Sequence, residues 1–273
     1  MNNILTIANS TIREAFSKKI IITFFAISTF TVLGFILFFS FVPIDDLTGI
    51  IRFSKGNPLD LTVEITRKIK LLIVAPLFGG GLFLSIFSAS GFIPAMLENG
   101  SVDLILSKPI SRTQIILGKF LGGVTVVFIN IAFLIFALWF LMGLKFSVWS
   151  PYFLYCILTI TFTFASLYSL IILIGIITKS SMFAMMLTYL IFFVLSPLLA
   201  AREQILMLVD DKLTKNITEI LYHIIPKTTE LGSLTTELAI GSGVGDWLPI
   251  ITTFLFMILV LYISIFIFNK KDF

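Results

Sequence analysis

The sequence predicts an all-α, polytopic membrane protein with six transmembrane helices, and three observations carry that prediction. The chain is 58% hydrophobic and only 12% charged, where a soluble domain is about a quarter charged. Six apolar runs reach the roughly 20 residues that cross a hydrocarbon core. None of the six contains Asp, Glu or Arg, and the one Lys at any depth is Lys119, near the start of the third. A water-soluble fold of 273 residues has too little interior to hide that much apolar surface. Lipid removes the difficulty. The 30 Phe, against 6 Tyr and 3 Trp, also suit lipid-facing helices.

The elements follow in order. Residues 1–19 read as an amphipathic interfacial helix, with Ile4, Leu5, Ile7, Ala8, Ile12, Ala15 and Phe16 on one face and Asn9, Arg13 and Lys18 on the other. The first span covers Ile20 to Val42 and is closed by Pro43, Asp45 and Asp46. Its length, behind a basic lead, predicts a retained anchor rather than a cleaved signal. Asn57-Pro58 is a helix start, with Asn as N-cap and Pro at the first helical position. That helix should run directly into the second span, Leu71 to Leu97. The third span covers Ile115 to Gly143, the fourth Tyr152 to Thr178 and the fifth Ser181 to Ala201. Only Lys179 and Ser180 separate the last two, which predicts a tight hairpin. In the loop 202–246, Ile205, Leu208, Val209, Ile217, Ile220, Leu221 and Ile224 recur at helical spacing until Pro226. A further short helix is expected from Thr228 to Ile240, ended by a Gly-rich turn. Both should pack over the spans. The sixth span covers Trp247 to Phe268. The whole chain reads as one transmembrane domain.

Six spans put both termini on one side. Arg13, Lys18, Lys19, Lys108, Arg112, Lys119, Lys179, Lys270 and Lys271 crowd the span ends on that side. The opposite loops hold ten cations, but over about twice the length and with eleven of the fifteen acids. The positive-inside rule then puts the termini in the cytoplasm, and the net charge of +4 belongs there.

Several chemistries are excluded. A single Cys (Cys156) and a single His (His223) allow no intramolecular disulfide and argue against a structural zinc site. No Walker-type phosphate loop, Gly-x-Ser-x-Gly elbow or His-Glu-x-x-His pair occurs. No basic stripe with interleaved aromatics suggests nucleic acid. Spans without ionisable centres argue against proton- or sodium-coupled carriage and leave the energy source outside this chain. Thr159, Thr161, Thr163, Ser166 and Ser169 in the fourth span and Asn130 in the third are expected to bond between helices. Gly79-Gly80-Gly81 in the second should allow close helix approach or a kink.

The informative segment joins the second and third spans. From Pro94 to Arg112 it carries an amphipathic element, with Leu97, Val102, Leu104, Ile105 and Leu106 apolar and Glu98, Asp103 and Lys108 polar. Pro109 closes it, and Ser111 can cap a helix starting near Thr113. A short helix held along the membrane surface by two continuous spans is a lever, because force on it passes into both.

Glu98-x-Gly100, then Leu106-Ser107-Lys108-Pro109-Ile110-Ser111-Arg112 and Leu117-Gly118-Lys119-Phe120, resemble the permease subunits of type-2 ATP-binding-cassette transporters. The likeness is nearest to the six-span group that includes the permease for copper-site maturation of nitrous oxide reductase and the gliding-motility permeases. Ile12-Arg13-Glu14, Ile225-Pro226-x-Thr228-x-x-Leu231 and the ending Phe268-Asn269-Lys270-Lys271 agree with it. The resemblance implies a non-catalytic subunit of the bacterial cytoplasmic membrane. Two copies would pair with two copies of a separate ATPase that holds ATP and Mg; no cofactor would sit in this chain. An extracytoplasmic partner is a further implication. The segment 94–112 would be the coupling helix. Its partner-binding residues would be Glu98, Gly100, Leu104, Leu106, Ser107, Lys108, Pro109 and Arg112. Leu104 and Leu106 would pack on the ATPase, Pro109 would fix the corner, and Glu98 and Arg112 would flank the docked helix with charge. The alternatives from the residues alone are an ATPase-independent channel or carrier, and a membrane scaffold for an extracytoplasmic assembly factor.

Overall fold

The computed structural model describes residues 2–17, 19–41, 58–97, 110–147, 149–207 and 212–271. Eleven α-helices and no strand occur among them: α1 (Asn2–Ser17), α2 (Ile20–Phe41), α3 (Pro58–Ala89), α4 (Phe92–Met96), α5 (Arg112–Phe146), α6 (Tyr155–Thr178), α7 (Ser181–Ala200), α8 (Arg202–Leu206), α9 (Lys212–Ile224), α10 (Thr228–Ile240) and α11 (Leu248–Lys270). Six of these helices, α2, α3, α5, α6, α7 and α11, are long and apolar enough to span a bilayer.

The fourth span is the axis of the bundle. In α6, 83% of the apolar window is buried, against 17–39% in the other five. Its buried hydroxyls are satisfied nearby, except that of Thr161, which has no partner among the described residues. Thr163 donates to the Thr159 carbonyl, Ser166 to that of Thr163 and Ser169 to that of Ser166. These bonds stay within the helix, contrary to the expectation of cross-helix bonding. A Ser or Thr hydroxyl reaches the carbonyl one turn back and is satisfied without a partner helix. Thr159 does bond across, accepting from Thr235 Oγ1 of α10 at 2.9 Å.

Both ends of the chain lie at one end of the bundle. Asn3 bonds Gln114 of α5 at 3.3 Å, and Arg112 reaches the last turn of α11. The hairpin between α6 and α7 is as tight as expected. Lys179 takes a left-handed conformation (φ 54) and Ser180 caps α7 by accepting from the Phe183 amide. Capping at α5 also follows the sequence: Ser111 and Gln114 form a reciprocal capping box.

α3 starts at Pro58 and runs unbroken for 32 residues, about 48 Å at 1.5 Å per residue. It therefore projects past a bilayer core at the end opposite the termini; its cap Asn57 lies outside the described residues. The helix of the second span ends at Ala89, and after Ser90-Gly91 the chain continues as α4, so that the span reaches Pro94. Pro94 lies in the first turn of that new helix, where it is tolerated, while Pro76 is carried inside α3. α7 holds a π-helical turn at Ile191–Leu195, immediately before Pro197. The wider turn accommodates a residue that has no amide hydrogen to give.

The segments at the far end divide. α10 packs on α3 and α6 through buried Leu231, Leu234, Leu238 and Ala239. In α9 the expected stripe faces outward: Ile217, Ile220, Leu221 and Ile224 are exposed, while Tyr222 is buried. Leu213 is exposed as well, and Lys212, Lys215, Asn216 and Glu219 supply the polar residues of α9. An otherwise polar helix with one open apolar stripe has the pattern of one lying in a bilayer interface. Ile205 falls on α8, while Leu208 and Val209 lie outside the described residues.

Candidate functional site

The terminal end of the bundle carries the predicted lever and its supports. Glu98, Gly100, Leu104, Leu106, Ser107, Lys108 and Pro109 lie outside the described residues. The two anchors of the segment are described. On the entry side, Phe92, Ile93, Met96 and Leu97 are buried, and α4 rests against α5 and α6. Gly175 of α6 lies at that contact, where an added Cβ would meet the Ile93 and Pro94 side chains at an ordinary 3.5 Å.

On the exit side stands Arg112, the first residue of α5. Its guanidinium donates to the main-chain carbonyls of Phe268 (2.9 Å), Asn269 (3.3 Å) and Lys271, and lies over the Phe268 ring. The last carbonyls of a helix have no partner within it and form the negative end of its dipole. A cation capping them is therefore doubly favourable. Lys271 repeats the device: its ammonium donates to the carbonyls of Ile176 (2.6 Å) and Ile177 (3.3 Å), at the end of α6. The start of the third span thus holds the end of the sixth, which holds the end of the fourth.

α1 forms the third support. It crosses the first turns of α5 where Gly118 and Gly122 leave room. A Cβ on Gly118 would stand 2.6 Å from Ile7 Cβ; one on Gly122 would stand 2.7 Å from Thr11 Cβ and 2.8 Å from the Ala8 carbonyl oxygen. This is the small-xxx-small spacing that lets membrane helices touch. Between the two glycines Lys119, buried, pairs with Glu14 at 2.6 Å. The Tyr168 ring occupies the space beside Gly123 and stacks between Phe120 and Phe164. By contrast, Gly79 and Gly80 meet nothing within 4 Å. They offer open space instead of a close helix contact, and Gly80 borders a cavity.

The far end holds a second cluster that sequence reading missed. The Tyr222 ring receives Arg202 at 3.5 Å and Lys227 at 3.9 Å, while its hydroxyl donates to Glu230 at 2.7 Å. Burial pushes the Tyr222 hydroxyl up to about 12, and burial lowers the Lys227 ammonium from its ordinary value. No periodicity signals this cluster, because it assembles from two sides of Pro226. Lys70, on α3, is also buried. It stands one residue outside the apolar run from which the span was read. His223 is exposed on α9, as its isolation suggested. Among the described residues no group of His, Cys, Asp and Glu could hold a metal ion.

No curated protein matches the chain. A family model described as ABC-2 family transporter protein matches residues 5–273, nearly the whole length. The chain belongs to that family, and is a multi-pass permease subunit of an ABC transporter.

Proposed function

We propose that this permease receives the work of ATP hydrolysis from a separate ATPase through the segment 94–112, and converts it into movement of its spans. In this reading two copies of the chain pair with two ATPase subunits, which bind the ATP and Mg. The termini face the cytoplasm of a bacterial inner membrane. The output is export of a substrate, or force passed to an extracytoplasmic partner.

One observation carries the reading: the described flanks of the segment are anchored in the bundle, Phe92, Ile93, Met96 and Leu97 by burial and Arg112 by a guanidinium that caps the end of the sixth span. In this reading a push delivered to its anchors rotates the start of α5, pulls on α11 through Arg112, and reaches α6 through Lys271. Arg112 then serves as a latch, in addition to any charge it offers a docked partner. Glu98, Gly100, Leu104, Leu106, Ser107, Lys108 and Pro109 form the docking face.

The test is reconstitution with the ATPase that co-purifies with the chain. Glu98→Ala is expected to weaken assembly with it. Arg112→Ala should leave assembly intact and lower the stimulation of ATP hydrolysis. Full coupling in both variants would remove the lever.

A further inference from the structure

We infer that the seam between α2 and α3 is a lateral binding site for a glycerolipid, whose ester carbonyl accepts a hydrogen bond from Asn130. The binding does not depend on the ATPase reading and is tested without an ATPase.

A cavity of about 290 Å³ lies where α2, α3 and α5 meet. Its walls are apolar except for Ser28, Thr31 and Asn130, and it includes the open position Gly80. Asn130 is 2% exposed. Its side-chain oxygen already accepts from Ser28 Oγ at 2.9 Å, while its Nδ2 has no partner among the described residues. Thr31 Oγ1 donates to the Ile27 carbonyl and makes no bond to Asn130 Nδ2. A buried amide N–H₂ without an acceptor inside a membrane costs free energy, and Asn130 lines this cavity. The solvent at that depth is lipid.

The cavity opens sideways. Ile27, Leu72 and Phe83 line it and are also exposed on the outer surface of the bundle. A second cavity of about 440 Å³ shares Phe24, Ile27 and Leu84 with the first and continues toward the terminal end. Four hydroxyl residues line it: Thr23, Ser88, Ser90 and Ser181. Thr23 and Ser28 are five residues apart on α2, so the hydroxyl end and the Asn130 donor lie roughly 7–8 Å apart in depth. An amphiphile with a polar head at the membrane surface, an acceptor a few ångströms deeper and an apolar tail matches both stations. A glycerolipid has that layout: head hydroxyl or phosphate, ester carbonyl, acyl chain.

The test uses the full chain in nanodiscs with two photoactivatable probes, a diazirine-bearing diacylglycerol and its diether analogue, which lacks the carbonyls. The ester probe is expected to label peptides around Ser28 and Gly80 roughly 3- to 16-fold more than the ether, the equivalent of one membrane hydrogen bond of about 0.6–1.7 kcal/mol. Asn130→Leu should abolish that preference and leave the ether labelling unchanged. Gly80→Phe, which fills the cavity from a position where a Cβ meets nothing within 4 Å, should remove labelling by both. Equal labelling of the native protein by ester and ether overturns the assignment, because the seam then holds only generic acyl chain. So does an ester preference that survives Asn130→Leu, or a seam that neither probe reaches.

Discussion

The crossing of α1 over α5 makes the sharpest prediction. Replacing Gly122 with Ala adds one carbon that stands 2.7 Å from Thr11 Cβ and 2.8 Å from the Ala8 oxygen. Carbon atoms pack best at about 3.5–4.0 Å, and neither neighbour can swing aside: one is a β-carbon and the other is backbone. The helices must part by about 1 Å to restore that spacing, and Ile7, Ala8, Thr11 and Ala15 lose contact along the crossing. Overpacking of this kind costs about 1–3 kcal/mol, which raises the population of undocked α1 roughly 5- to 150-fold. A Thr11→Cys reporter reads it, since Thr11 is fully buried and the native Cys156 is buried too. Maleimide labelling of that cysteine should accelerate by the same factor in Gly122→Ala. Gly79→Ala serves as control, because its Cβ meets nothing; it should not change the labelling and should gain up to about 1 kcal/mol of helix propensity. Equal labelling rates with and without Gly122→Ala would refute the crossing.

Further outcomes are expected. Lys119→Met deprives Glu14 of its ammonium partner in a half-buried place and should lower the thermal midpoint, whereas Lys119→Met with Glu14→Gln should recover most of the loss, since neutral pairs replace buried ion pairs at little cost; a double variant no more stable than the single would contradict this. Lys227 has its ammonium buried with no hydrogen-bond partner among the described residues, and burial lowers its pKa against the opposing pull of Glu230, Asp246 and Glu219. The folded state then binds fewer protons than the unfolded one, so this group's contribution to stability rises with pH up to the ordinary lysine value near 10.5. Lys227→Met should raise the thermal midpoint at pH 7, with the gap to the native protein narrowing as the pH climbs; a gap independent of pH would place the effect elsewhere. Tyr222 acts in the opposite sense: its raised pKa contributes stability that is intact below pH 10 and lost toward pH 12, so Tyr222→Phe should flatten the alkaline limb in a pH-dependent melt.

The six spans were legible because lipid imposes one requirement on every residue of a run, and composition reports it directly. The cap at Ser111 was legible for a related reason: it acts on atoms within three residues of itself. The helix contacts were not. Gly79-Gly80-Gly81 and Gly118-x-x-x-Gly122 are both plausible contact strings, but only the second meets a partner closely. Which glycines touch depends on the rotation of each helix in the bundle, a property of the whole assembly. The same limit hid the role of Arg112. Its position beside the lever suggested a charge displayed to another protein, while its contacts run 156 to 159 residues away. The outward stripe of α9 failed in the other direction. An amphipathic pattern states that one face leaves water; it does not say whether protein or lipid receives it.

The distribution of burial bears on how such a subunit would move. α5, α6 and α11 are tied at the terminal end by two cations on helix-end carbonyls, and α1 is keyed into α5 by glycines. α2 has no comparable fastening among the described residues. Its window is the least buried of the six at 17%. The seam cavities lie on one side of it, and a third apolar cavity of about 410 Å³, lined by Phe16, Ile22 and Phe25, on another. Its one polar tie to the bundle within the bilayer, among the described residues, is the bond from Ser28 to Asn130. If the terminal end is pushed as proposed, a bundle stiff at α1, α5, α6 and α11 and loose at α2 deforms at α2. The least costly displacement then changes the width of the α2–α3 seam, whose cavity Asn130 lines.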